Sequence, residues 1–202
     1  MIRGARLWAD RSTFSVQTNN SIEAILRKSA APHWLETCGP TSAVNCLDAL
    51  GWPTAIGLPG GGTVQPEDVL TLWMNDLKNA GIQDAARPDI DPADYLDNEI
   101  PQYYPVALAR VFGVKANFIM PAPFALIVEA VSSGAAVMIC LKKPGHFLAV
   151  VAYDDVVRAL IYRDPWPART GTDGFNLRMS EAEFGANGQP FAVVVHPPEA
   201  SA

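Results

Sequence analysis

Thr37-Cys38-Gly39-Pro40-Thr41-Ser42 is the stretch on which the reading of this chain turns. Pro40 suits the first turn of a helix, where its missing N–H costs nothing, and Gly51 supplies a stop after Leu50. A helix is therefore predicted over 40–50, with Cys38 at its N-terminus. There the unpaired backbone N–H groups and the positive end of the helix dipole favour a thiolate over a thiol, and they can also bind an oxyanion. Cys46, inside the same helix, and Cys140, in an apolar strand, read as packing residues.

A thiolate nucleophile needs a base, and the chain has 3 histidines, His33, His146 and His196. His146 follows Pro144-Gly145 at the mouth of a predicted strand, where a side chain can project into a cleft. His196 abuts Pro197-Pro198 near the tail and reads as a surface residue. The base in turn needs a group that fixes its tautomer. If Asp154 and Asp155 form a tight turn, residue 153 faces 156 and His146 falls opposite Arg163. A one-residue change of register then brings Asp164 directly opposite. Facing residues of an antiparallel pair lie about 5 Å apart, which makes Asp164 the expected orienter. Trp166 either covers a His–Asp hydrogen bond from water or packs in the core, two equally good uses of a tryptophan.

Working outward, helices are predicted over 21–28, 66–79, 101–112 and 123–132, and strands over 135–141, 146–153, 156–163 and 191–196. Helices first and an antiparallel sheet afterwards indicate an α+β fold in a single domain over 1–202, with a helical lobe over about 20–132 and a sheet lobe over about 133–198. Residues 57–62, with Pro59 and three consecutive glycines, read as an irregular loop, either a plain surface connection or a cover over a cleft. No Lys-Ser/Thr pair follows those glycines, which excludes a nucleotide-binding P-loop.

Composition narrows the partners. The chain is 49% hydrophobic and 18% charged, the proportions of a chain that folds unaided. A net charge of -6 with scattered Lys and Arg argues against nucleic acid. The apolar stretches are strand-sized, so no membrane partner is expected. With no apolar segment behind Arg3, Arg6 and Arg11, the expected location is cytoplasmic, or exported without a cleavable signal peptide. The 3 cysteines cannot all pair, so the fold should not depend on disulfides. No Cys or His pair has zinc-site spacing, and neither a metal nor another cofactor is expected.

Cys38-Gly39-Pro40-Thr41-Ser42, then Gly145-His146-Phe147 opening a strand, then Asp164-Pro165 after the next one, resembles the papain-like cysteine peptidases of the bacteriocin-processing type, whose peptidase domains remove leader peptides after a double glycine. The resemblance runs from about residue 30 to 170. It implies a papain-like fold, a peptide or protein substrate, Cys38 as nucleophile, His146 as general base and acid, and Asp164 as orienter. In that family a glutamine six residues before the cysteine donates to the oxyanion, whereas here that position is Pro32. His33, Gln17, Asn19 and Asn20 are the candidates to replace it, beside the backbone N–H of Cys38.

The leading expectation is a cysteine peptidase or related amide hydrolase working through a thioester. Pro32 motivates an alternative, a papain-fold binding module with impaired catalysis. A protein-deamidating or acyl-transferring effector is a third reading, because all of these chemistries share one acyl-enzyme.

Overall fold

The structure is a computed structural model and describes residues 1–4, 14–20, 37–59, 61–75, 79 and 100–199. In chain order the elements are β1 (Ile2–Gly4), α1 (Cys38–Leu50), β2 (Ile56–Gly57), β3 (Thr63–Val64), α2 (Pro66–Met74), α3 (Tyr104–Phe112), β4 (Ala116–Ile119), α4 (Phe124–Ser132), β5 (Ala136–Leu141), β6 (His146–Asp154), β7 (Ala159–Arg163), α5 (Pro167–Thr170), β8 (Leu177–Ser180), α6 (Glu181–Asn187) and β9 (Gly188–Val195). The expected helix over 21–28 lies outside the described residues. Among them, no helix is long and apolar enough to cross a membrane.

The main sheet is antiparallel, in the order β4-β9-β5-β6-β7-β8, and β1 pairs with the far end of β6. Its central strands are buried on both faces, which explains their unbroken apolar runs. On one face, Ala136, Met138, Cys140, Phe147 and Ala149 join Ala43, Cys46 and Leu47 of α1, Leu70 and Met74 of α2, and Leu108 of α3. On the other, Val137, Ile139, Leu148 and Val150 join Ile127 and Val131 of α4 and Phe184 of α6. The α+β expectation holds, with helices on both faces of one sheet. The strand β4 falls within the stretch expected to be a helical lobe, yet it pairs with β9 at the sheet edge.

Three local expectations are corrected. The predicted turn at Asp154-Asp155 does not form, because Asp154 is itself the last residue of β6 and pairs with Ala159. The Asp154 carboxylate accepts the N–H of Val156 at 3.0 Å, and Arg158 takes a left-handed φ of 53°, closing a longer loop in which Val156 and Val157 are exposed. The strand expected from 156 accordingly starts at Ala159. Residues 57–62 are not wholly irregular either, since Ile56 and Gly57 pair with Val64 and Thr63 in a short hairpin. Finally, β4, β8 and α6 had no counterpart in the sequence reading. The last of these carries a capping box, with the Glu183 N–H donating to the Ser180 hydroxyl and the Glu183 carboxylate accepting from the Ser180 N–H.

Candidate active site

Cys38 is the first residue of α1, and the helix terminates at Gly51, whose left-handed φ of 76° lets its N–H reach the carbonyls of Leu47 and Asp48. The Thr41 N–H donates to the carbonyl of Thr37, the residue just before the helix, at 3.1 Å. The amides of Cys38 and Gly39 lie ahead of that bond, in the turn that an anion can bind. Cys38 is 2% exposed and belongs to the same buried cluster as Phe147, the neighbour of His146. The helix lies directly against β6, the strand that His146 opens.

His146 is 2% exposed and Asp164 wholly buried. Their side chains meet, with His146 Nε2 2.7 Å from Asp164 Oδ1. The carboxylate only accepts, so Nε2 carries a proton, and Nδ1 is the ring nitrogen left to exchange one with another group. The contact expected from the sequence exists, but not by the expected route. The ladder between β6 and β7 ends with Ala149 opposite Arg163, so His146 has no direct strand partner on β7. Asp164, one residue past the end of β7, reaches it by side chain alone.

Several groups hold that carboxylate. The Trp166 N–H donates to Oδ1 at 2.9 Å and Arg169 Nη2 donates to Oδ2 at 2.6 Å. Burial pushes the Asp164 pKa up, but the His146 hydrogen bond and charge, the Trp166 amide and the Arg169 guanidinium together outweigh it and leave it below the usual carboxylate value. The Trp166 ring stands edge-on to the imidazole, with centroids 6.1 Å apart. Trp166 is thus a ring neighbour of His146. Arg169 was not singled out from the sequence, because only the fold of the 164–170 turn aims it at Asp164.

Of the supporting candidates, Gln17 is buried in a short 3₁₀ turn over Gln17–Asn19, and its backbone N–H donates to the Pro165 carbonyl at 2.8 Å. A segment some twenty residues before Cys38 is thus laid against the Asp164-Pro165 strand end. Asn20 Nδ2 donates to Thr41 Oγ1 at 2.9 Å, and Asn19 is exposed. His33 and Pro32 lie outside the described residues. The Cys46 thiol is pushed far up by burial, and Cys140 Sγ donates to the Leu141 carbonyl, both in keeping with packing roles. His196 sits at the β4 edge, its Nε2 2.8 Å from Asn117 Nδ2 and its carbonyl bonded by Trp52 Nε1.

Residues 14–188 match the Peptidase_C39-like family. The chain belongs to that family. It is therefore a papain-like cysteine peptidase in class, as the motif order around Cys38, His146 and Asp164 implied. No curated protein matches. Among solved structures, the peptidase domain of the Streptococcus quorum-sensing transporter ComA is 14% identical with a TM-score of 0.45, over 81% of this chain and 93% of that one. A double glycine motif protease from an AMS/PCAT transporter, in complex with its leader peptide, is 16% identical with a TM-score of 0.40, over 79% and 84%. The peptidase domain of Streptococcus mutans ComA is 20% identical with a TM-score of 0.36, over 46% and 70%.

Proposed function

We propose that this C39-like chain cleaves a peptide bond through Cys38, with His146 as its base and acid, Asp164 as orienter and Gln17 as side-chain donor to the oxyanion. The observation that carries this reading is the buried His146–Asp164 hydrogen bond at the start of the strand on which the Cys38 helix packs. His146 Nδ1 takes the proton of the Cys38 thiol, and the sulfur attacks the substrate carbonyl carbon. The oxyanion that forms accepts from the Cys38 backbone N–H and the Gln17 amide. His146 then returns its proton to the departing amine, which leaves a thioester that water hydrolyses with the same imidazole as base.

Gln17 is preferred over Asn19 because it is buried and tied to the Asp164-Pro165 turn, whereas Asn19 faces solvent. Loss of one such donor lowers the rate by about two to three orders of magnitude. The test pairs a peptide library, read by mass spectrometry, with iodoacetamide labelling. Cleavage products and a label on Cys38 are expected from the unaltered chain, and neither from Cys38→Ala. A shift of about one dalton on glutamine side chains, without cleavage, would turn the assignment to a deamidase acting through the same thioester.

A further inference from the structure

The face of α1 that begins with Cys38 continues at helical spacing through Thr41 and Asn45. Both of these side chains grip the segment that carries Gln17. Asn45, wholly buried, clamps one residue from both sides: its Oδ1 accepts the Ser15 N–H at 2.9 Å and its Nδ2 donates to the Ser15 carbonyl at 3.0 Å. Thr41 Oγ1 accepts from Asn20 Nδ2 at 2.9 Å while donating to the Thr37 carbonyl at 2.8 Å. Gln17 lies between the two anchor points. The main-chain carbonyl of Asn45 also receives Arg163 Nη1 at 3.4 Å, from the residue directly before Asp164. One asparagine therefore touches the helix of Cys38, the segment of Gln17 and the strand that leads to Asp164.

Holding both the N–H and the C=O of a residue fixes its peptide planes as a neighbouring strand would, and it satisfies both ends of a buried amide side chain. An oxyanion donor acts only if it is already aimed before the charge develops. We propose that Asn45, with Thr41 as second anchor, is the positioning residue that presents Gln17 to the oxyanion. This rests on the assignment of Cys38 and Gln17 above, and it deepens that assignment by naming what holds the donor in place.

Two reagents separate this role from general support of the fold. p-Nitrophenyl acetate acylates the sulfur through a tetrahedral oxyanion and expels p-nitrophenolate, whereas iodoacetamide alkylates it by displacing iodide and forms no oxyanion. Asn45→Ala should slow acylation about ten- to a hundredfold, less than the full loss of a donor, and leave alkylation within about twofold. In a Gln17→Ala background, Asn45→Ala should add nothing, because the donor it positions is already gone. Asn20→Ala, which cuts only the outer anchor, should show the same selective loss at smaller size; it carries the test if Asn45→Ala fails to fold. A parallel fall of both rates, no fall of either, or effects that multiply with Gln17→Ala would overturn the proposal. A Cys38→Ala chain that still releases p-nitrophenolate at the original rate would instead refute the underlying assignment.

Discussion

Gly174 and Asp164 are locked together through their backbones: the Asp164 N–H donates to the Gly174 carbonyl at 2.8 Å, and a Cβ on Gly174 would stand 2.5 Å from the Asp164 carbonyl oxygen. Gly174 also has a φ of 76°, which disfavours any L side chain. Gly174→Ala therefore combines a left-handed penalty with a backbone clash at the residue hydrogen-bonded to His146. A loss of about 1–3 kcal/mol in stability is expected, and with it a fall in acylation by p-nitrophenyl acetate. Thermal unfolding and the p-nitrophenolate burst measure both. An unchanged burst would mean that the Asp164 loop does not have to hold this shape for the chemistry.

Arg169 grips the Asp164 oxygen that His146 does not use. Without it the carboxylate is held by His146 and the Trp166 amide alone, and its rotation about χ2 is freer. Arg169→Met should lower acylation by about tenfold, well short of the loss in Asp164→Ala, since the carboxylate itself survives. The guanidinium also depresses the Asp164 pKa. Its removal should move the acid limb of the stability profile to higher pH, because a carboxylate with a depressed pKa stabilises the fold until the pH drops through that pKa. An acid limb identical to that of the unaltered chain would contradict the pairing.

The Trp166 ring stands beside the imidazole of the His146–Asp164 bond, with centroids 6.1 Å apart. Trp166→Ala opens that bond to water, which competes for both partners, and about a tenfold loss in turnover is expected. Trp166→Phe restores an apolar edge and should recover most of it. Equal losses in the two variants would point to the indole N–H rather than the shield.

The Cys38 helix and the His146–Asp164 pair were legible in the sequence for different reasons. Cys38 stands where local grammar is strong, one proline inside and one glycine beyond the helix. Asp164 was reached by counting across a hairpin whose turn was misplaced, since the Asp154 carboxylate caps a longer loop and moves the register. The pairing survived because a carboxylate beyond the strand end reaches across without facing residues. Arg169 and Gly174 carried no local signal, as only the closed path of residues 164–176 brings them to the carboxylate. Asn45 did carry one, seven residues after Cys38 on a predicted helix. A polar side chain on the same helical face as Cys38 is a signal that spacing alone can give.

A second group of carboxylates lies on α1 and α2. Burial pushes the Asp48 pKa up to about 6, with the Thr54 hydroxyl and the Arg163 charge opposing it only in part. Burial likewise raises Glu67 to about 7; its own backbone and the Ser15 hydroxyl oppose the rise, and the charges of Asp68 and Asp48 add to it. Both groups bind protons more tightly folded than unfolded. The native state thus holds more protons than the unfolded chain between the ordinary carboxylate range and about pH 7, so these two groups stabilise the fold at low pH and lose that effect as pH rises through their folded pKa values. The melting temperature should climb as the pH is lowered from about 7.5 to about 5, then fall at lower pH as Asp164 begins to protonate. Asp48→Asn and Glu67→Gln together should flatten the climb and leave the acid fall in place. A climb of the same slope in the double variant would show that the proton uptake belongs to other groups.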